Sequence, residues 1–96
     1  MSNYELCVVL NAKIEDDERA AALEKVKDYI TRFGGTVTEV EEWGKKRFAY
    51  DVQKMKEGFY YFVRFEAEKT APLEIENRVR IMENVLRYLC VKQEKA

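Results

Sequence analysis

Residues 41–50 read EEWGKKRFAY, and the rest of the chain is organised around this segment. It continues a stretch that turns β-branched and alternating from Thr36, which is typical of a strand. The segment carries two acids, the chain's single tryptophan, a glycine and three consecutive basic residues. Packing in a hydrophobic core does not require this mixture of residue types. We therefore predict a strand that is either a solvated edge of the sheet or a docking surface.

This strand is predicted to run to Val52 and to form a long hairpin with the strand that follows it. A bulge near Thr38 is needed to bring the apolar positions on its two sides into one phase. A polar connection over Gln53–Gly58 then leads to Phe59–Glu66, whose density of aromatic residues predicts a strand.

The part of the chain before this hairpin predicts one strand and one helix. Tyr4–Leu10 is short and rich in Val and Leu, as a central strand is. Asp16 or Asp17 is predicted to cap the helix, and Gly34 or Gly35 is predicted to end it. The apolar stripe of this helix consists of Leu23, Val26, Ile30 and Phe33.

The part after the hairpin predicts a second helix and a last strand. The helix is expected to begin at Thr70–Pro72 and to end at Asn84, with Leu73 packing at its start. Its apolar stripe consists of Ile75, Val79 and Met82. Val85–Lys92 predicts the last strand, and residues 93–96 predict a charged, frayed tail.

The order strand, helix, strand, strand, helix, strand predicts an α+β fold of the ferredoxin-like, split βαβ type. Its four-stranded antiparallel sheet has both helices on one face, and right-handed crossovers place the first and third strands in the centre. The 96 residues suit one such domain, residues 1–96. The segment 41–50 is therefore expected on an edge strand.

The composition limits the function. The 17 basic and 18 acidic side chains nearly cancel, so any attraction for nucleic acid must come from segregated patches. The chain has no histidine, the commonest general base and metal ligand, so we predict no enzyme, metal or cofactor. Cys7 and Cys90 are far apart, which predicts reduced thiols in the cytoplasm. No apolar run approaches the roughly 20 residues that cross a bilayer.

The charges of the edge segment have two interpretations. Unpaired strand edges invite aggregation and are often protected by charge, so the acids and the basic triplet can be explained as solvated residues. Trp43, however, is costly to expose, and Gly44 lets another backbone approach closely. Adjacent blocks of opposite charge also suit a charged partner, so a docking surface is favoured.

The aromatic strand supports an alternative function. By alternation Tyr60 and Phe62 share one face, and the helix-free face is where RNA-recognition-motif domains stack bases. Residues 58–65 resemble the RNP1 signature of those domains with the register off by one, because Tyr60 and Tyr61 stand where the signature has one small residue. A single-stranded RNA-binding module using the open sheet face is therefore the alternative. The glycine-rich loop of acylphosphatase-like enzymes is missing from the sequence.

Several elements resemble the bacterial small-subunit ribosomal protein S6 family. Tyr4 and Glu5 lead the first apolar strand, and residues 42–50 carry that family's acid, apolar residue, glycine, two basic residues and then Ala-Tyr. Ser2 and Asn3 stand where the family usually has a basic residue, and Asp51 replaces a common proline. Lys54, Gly58, Phe59, Tyr60, Arg80, Asn84, Val85, Arg87, Val91 and Lys92 complete the resemblance, which covers nearly the whole chain.

The resemblance implies a structural constituent of the small ribosomal subunit, in the cytoplasm, with no membrane or small-molecule partner. It implies binding to the central domain of 16S rRNA, cooperatively with ribosomal protein S18 as a heterodimer. The S18 contacts it implies are Glu41, Glu42, Trp43, Lys46 and Arg47. The RNA contacts it implies are Tyr4, Lys45, Arg80, Asn84, Arg87 and Lys92.

Overall fold

The computed structural model describes residues 2–52 and 55–93. Their six elements are β1 (Ser2–Asn11), α1 (Asp16–Arg32), β2 (Thr36–Val52), β3 (Met55–Ala67), α2 (Ala71–Arg80) and β4 (Val85–Gln93). The strands form one antiparallel sheet in the order β2-β3-β1-β4. The predicted α+β, ferredoxin-like fold is confirmed, with β1 and β3 in the centre and β2 and β4 at the edges.

Alternation along the strands gives the sheet one buried face. Even-numbered residues 4–10 of β1 and odd-numbered residues 61–67 of β3 pack in one cluster with α1 and α2. Leu6, Val63 and Ile75 have no exposed surface. Burying an aliphatic side chain completely contributes about 1.5–3 kcal/mol, so this layer holds the two edge strands in fixed positions. We call the opposite, helix-free side of the sheet the open face.

The start of α1 differs from the prediction. Glu15 is the N-cap residue, with extended backbone angles and no side-chain capping hydrogen bond. Asp16 and Asp17 lie in the first turn, so the prediction that one of them caps the helix is wrong. Their charges still stabilise this end, because the helix dipole favours negative charge at the N-terminus.

The end of α1 agrees with the prediction. Gly34 has a φ of 84°, in the left-handed region that glycine adopts without steric cost. Its N–H donates to the carbonyl of Thr31, and the N–H of Gly35 donates to the carbonyl of Ile30 at 2.8 Å. These two bonds form a Schellman motif, which satisfies the last carbonyls and turns the chain into β2.

The second helix starts as predicted but is shorter. Thr70 is its N-cap and Arg80 its last residue, so the predicted end at Asn84 is wrong. Leu73 is 64% exposed, and its predicted packing is also wrong. The buried residues recur every fourth position from Ala71, which places residue 73 on the opposite side of the helix.

The hairpin of β2 and β3 is longer and less regular than predicted. Its register shifts at Thr38, which confirms the predicted bulge, and shifts again at Trp43. Because β3 begins at Met55, residues 55–58 belong to the strand, and the prediction of a connection over Gln53–Gly58 is wrong there. Gln53 and Lys54 lie outside the described residues.

The end of the described chain also extends a strand. Gln93 is the last residue of β4 and not the first of the predicted tail, whose remaining residues 94–96 lie outside the described part. Within residues 2–52 and 55–93, neither helix has the length and apolarity to span a membrane.

Candidate functional site

The five residues predicted to contact a protein partner lie along β2, on an edge of the sheet. We call them the β2 edge. They divide between the two sides of the sheet, because Glu41 pairs with Phe62 on the open face while Glu42 pairs with Tyr61 on the helix side. By the same alternation Lys46 falls on the open face and Arg47 on the helix side, and both are exposed. A partner that contacts all five residues must therefore contact both faces of the sheet at this edge.

On the open face, Glu41 belongs to a cluster of ion pairs around Arg64, which we call the Arg64 cluster. The guanidinium of Arg64 lies 2.7 Å from Glu39, 3.0 Å from Glu5 and 3.2 Å from Glu41. Hydrogen bonds to Glu39 and then to Glu5 raise the pKa of Arg64 above its ordinary value. Three carboxylates around one guanidinium leave an excess of two negative charges. Glu41 of the β2 edge is thus connected by an ion pair to β3, in the centre of the sheet.

Trp43 both covers the sheet and stays exposed. It occupies the second bulge of β2, and its ring packs against Phe62 on the open face with the ring centres 4.7 Å apart and the ring planes tilted by 50°. Half of the side chain, 51%, remains in contact with solvent. Gly44, next in the chain, has a φ of 77°. Glycine adopts this backbone conformation, which the bulge requires, without steric cost.

Lys45, predicted to contact RNA, is exposed on the same edge strand. Its ammonium group lies 3.8 Å from the carboxylate of Glu57 and 5.7 Å from the centre of the Phe59 ring. The guanidinium of Arg19 of α1 also lies over that ring, at 3.8 Å from its centre. Lys45 therefore lies next to the β2 edge and is separated from the other predicted RNA contacts.

Four of the predicted RNA contacts lie on β4, in the turn before it or at the end of α2, at the sheet edge opposite β2, which we call the β4 side: Arg80, Asn84, Arg87 and Lys92. Arg80 ends α2, and Asn84 lies in the turn that leads into β4, where its carbonyl accepts from the N–H of Asn11 at 2.8 Å. Arg87 and Lys92 are exposed on the strand itself. These two lie about 17 Å apart along it, with Arg87 on the open face and Lys92 on the helix side, so the β4 side includes both faces of the sheet at this edge.

Tyr4 is placed in the core. Its side chain is only 7% exposed and its ring stacks on Phe65 with the centres 5.6 Å apart. It is adjacent to Lys92 in the register of β1 and β4. The predicted contact of Tyr4 with RNA is thus confined to the small exposed part of the side chain, and Lys92 is the accessible member of this pair.

The order of the strands separates the two sets of predicted contacts. The β2 edge and the β4 side lie at opposite edges, three interstrand spacings or about 14 Å apart across the sheet. The rigid layer of β1 and β3 lies between them. The domain can therefore contact two macromolecules at once without either covering the other.

The two cysteines lie on opposite sides of the sheet. Cys90 packs against the core, whereas Cys7 alternates onto the open face, and both are free thiols. Burial, with a smaller effect of the Glu76 charge, raises the pKa of Cys90 to about 12. Burial and then the Glu5 charge raise the pKa of Cys7. Both thiols are neutral near pH 7, and no group of metal-ligating side chains occurs among the described residues.

Sequence reasoning missed three features of the open face. It did not identify Arg64 as the centre of the ion-pair cluster, although Arg64 is the only charged residue between Phe59 and Phe65. It also missed that Leu89 and Val91, which alternate onto this face, are 60% and 42% exposed. The alternation of side chains along β4 could have predicted that both residues lie on the open face.

The order of the elements and the four-stranded antiparallel sheet define a ferredoxin-like domain. The family model described as ribosomal protein S6 matches residues 3–92. The chain belongs to the ribosomal protein S6 family. It is therefore a structural, non-enzymatic protein of the small ribosomal subunit in the bacterial cytoplasm.

Individual relatives agree over almost the full length. The chain is 39% identical to small ribosomal subunit protein bS6 of Clostridium novyi over 95 residues, covering 99% of this chain and 100% of that protein. It is 40% identical to bS6 of Moorella thermoacetica, covering 99% and 97%. The crystal structure of 30S ribosomal protein S6 from Thermotoga maritima matches with a TM-score of 0.92 at 27% identity, covering 96% of this chain and 87% of that one.

Proposed function

We propose that this chain binds the central domain of 16S rRNA cooperatively with ribosomal protein S18, as a heterodimer within the small subunit. The β2 edge contacts S18, and the β4 side contacts RNA. The single observation that carries the proposal is the placement of these two surfaces at opposite edges of one sheet. A domain with this geometry fixes the position of its protein partner relative to the RNA.

The distribution of charge supports the same division of roles. The chain as a whole has a formal charge of −1, so it offers phosphate groups no general attraction. Arg80, Arg87 and Lys92 supply three exposed basic side chains on the β4 side, against one exposed carboxylate, Glu83, in the turn before the strand. A few basic contacts give modest affinity alone, and a basic partner bound at the β2 edge supplies the rest. Cooperativity follows, because the heterodimer has more phosphate contacts than either protein.

The proposal is tested by gel-shift titration of a central-domain rRNA fragment with this chain, with S18 and with both. We expect weak binding by each protein alone and at least tenfold tighter binding by the mixture. Raising the salt concentration should weaken binding by the mixture steeply. Tight, salt-insensitive binding by this chain alone would refute the cooperative model.

Matched variants separate the two surfaces. The double reversal Lys46→Glu, Arg47→Glu should weaken binding to S18 in a direct titration without RNA. The control is the double reversal Lys25→Glu, Lys69→Glu, which makes the same charge change at exposed positions away from β2. Equal affinities of the two variants for S18 would exclude the basic end of the β2 edge from the contact.

On the β4 side, neutralising Arg80 and Lys92 to glutamine should reduce the salt dependence of RNA binding by the heterodimer by up to about two ion contacts. Affinity for S18 in the absence of RNA should stay unchanged. A salt dependence equal to that of the wild-type heterodimer would show that these side chains do not contact phosphate.

A further inference from the structure

The two edge strands of the sheet differ in how well they are protected against pairing with another strand. Residues 41–47 of β2 include five charged side chains and a bulge at Trp43, and both features discourage such pairing. Among the described strands, β4 has a neighbour on one side only, β1. Its register with β1 is regular over residues 87–93, and residues 88–91, YLCV, carry no acidic or basic side chain. The segment 87–93 is therefore the less protected edge.

Exposed apolar side chains lie in the middle of this segment. Leu89 is 60% exposed and Val91 is 42% exposed. Both alternate onto the open face of the sheet, two residues apart. A strand that paired with this segment would cover both side chains and add backbone hydrogen bonds to the apolar contact. The segment thus has the features of a surface for strand addition.

We infer that the segment 87–93 pairs with the same segment of a second copy of this chain, antiparallel and about a two-fold axis, so that the two sheets become continuous. A second copy fits because the segment is complementary to itself. Cys90 is its middle residue, so full overlap of two antiparallel copies places the axis at Cys90. The inference goes beyond the proposed function and does not depend on it, because it concerns this chain alone.

The apolar side chains match in this register. Leu89 of each copy lies opposite Val91 of the other, so the two exposed apolar residues meet twice across the axis. Moving the axis away from Cys90 by one residue in either direction reduces the overlap of the regular segments from seven residues to five or fewer. It also separates Leu89 from Val91. Maximal backbone pairing and maximal apolar contact therefore select the same register.

The charges around the joint permit this register. Arg87 lies opposite Gln93 of the other copy. Lys92 lies opposite Tyr88, so no two basic side chains of the paired strands oppose each other. Glu5 of the neighbouring strand β1 adds a negative charge on the open face. On the helix side α2, which packs against β4, contains two acidic and two basic residues and adds no net charge.

The assembly stops at two copies. The two-fold axis uses both β4 strands, so the joined sheet ends at β2 on each side, where charges and bulges oppose further pairing. Seven paired residues span only about 24 Å, which makes the joint small beside the roughly 1,600 Å² of a standard interface. The dimer should therefore dissociate on dilution. A second copy would compete with RNA for the β4 side, a consequence that alone rests on the proposed function.

The test uses the full-length chain by itself. Sedimentation equilibrium from about 10 μM to about 1 mM should show a reversible equilibrium of monomer and dimer for the wild type. Leu89→Lys removes the apolar contact and places a charge on the edge, which should raise the dissociation constant at least about tenfold. The matched control is Ile81→Lys, since Ile81 is 69% exposed and lines a groove beside α1. This variant should dimerise like the wild type.

A second measurement tests the register. Leu89→Cys and Val91→Cys are each made in a Cys7→Ser, Cys90→Ser background and oxidised alone and as a mixture. The mixture should form a disulfide-linked dimer rapidly, because positions 89 and 91 lie opposite each other with Cα atoms about 4.5–5.5 Å apart. Either variant alone should link at least about tenfold more slowly, because identical positions are offset by two residues, about 7 Å along the strand.

Three results would overturn the inference. A wild type that stays monomeric up to about 1 mM would exclude the dimer. Equal dissociation constants for the two lysine variants would place the contact on another surface. Cross-linking of either cysteine variant alone as fast as the mixture would exclude the register, and this readout applies even if Leu89→Lys does not fold. None of these measurements includes S18 or RNA, so a failure of the proposed function leaves them unaffected.

Discussion

The contact between Trp43 and Phe62 gives a prediction whose size follows from the structure. Trp43→Ala removes a ring that packs at a tilt against Phe62, with the ring centres 4.7 Å apart, and about half of the tryptophan surface is hidden from solvent. A tryptophan presents up to about 250 Å² of surface, so the hidden half is about 120 Å². At about 25 cal/mol per Å² this burial contributes at most about 3 kcal/mol to the free energy of unfolding.

The expected loss is smaller than that limit. Unfolded chains already bury some of their apolar surface, which reduces the contribution to about 2 kcal/mol. In a domain of this size, a loss of about 2 kcal/mol lowers the melting temperature by roughly 8–16 °C. The variant should still fold, because the core on the other side of the sheet is untouched.

The assay is urea and thermal unfolding followed by far-UV circular dichroism, since the variant has no tryptophan to report by fluorescence. Trp43→Ala, Phe62→Leu and the double variant complete a double-mutant cycle. A direct ring contact predicts a coupling free energy of about 0.5–1.5 kcal/mol. Leu73→Ala, at an exposed position of α2, is the control and should change stability by less than about 0.5 kcal/mol.

Two results would refute this reasoning. A Trp43→Ala variant as stable as the control would mean that the ring does not cover the sheet in solution. Additive losses in the double variant would mean that Trp43 and Phe62 stabilise the domain independently, without the contact between them.

Further predictions concern the end of α1 and the half-buried thiol of Cys90. Gly35→Ala should destabilise the domain by about 1–3 kcal/mol in urea unfolding, because an added Cβ would lie 2.8 Å from the side chain of Ile30 and 3.0 Å from its carbonyl oxygen. Gly34→Ala should cost about 1–2 kcal/mol through its positive φ alone, since nothing lies within 4 Å of the new atom, so a larger loss for it would contradict the assignment. In a Cys7→Ser variant, Cys90 should react with iodoacetamide at pH 8 about a thousandfold more slowly than an unfolded control, because its pKa rises from 9.0 to about 12. The neutral thiol contributes its full stabilisation below pH 9, and this contribution is lost as the pH rises towards 12. Alkylation of Cys90 as fast as in the unfolded control would contradict the raised pKa.

Much of the architecture could be predicted because local patterns decide it. Alternation along the strands assigned Tyr60 and Phe62 to the open face and the core residues to the other. The phase change around Thr38 required a bulge, and the structure has one there. The position of β2 at an edge followed from the handedness of the connections.

The helix boundaries were less accessible from the sequence. Glu15 and Asp16 are both acidic, and which of them leaves the helical conformation depends on the loop after β1. The apolar residues Ile81 and Met82 continue the pattern of α2, but the chain turns there to bring Asn84 beside Asn11. Tertiary contacts, which a local pattern does not contain, decided both ends.

The Arg64 cluster could not be predicted at all. Its members Glu5 and Glu39 are 59 and 25 residues away from Arg64 in the sequence, and they meet only through the registers of two strand pairs. A shift of either register by one residue would move a carboxylate to the other side of the sheet. The surface charge of the open face is therefore a property of the fold.

The bulge at Trp43 has a consequence for how this family can vary. Because it adds one residue to β2, it inverts the phase of residues 44–47, so that Lys46 falls on the open face and Arg47 on the helix side. Deleting a single residue there would leave the composition of the edge almost the same while exchanging the sides of its basic residues. The length of this segment is thus more strongly constrained than its chemistry, and substitutions should be tolerated there far more readily than insertions or deletions.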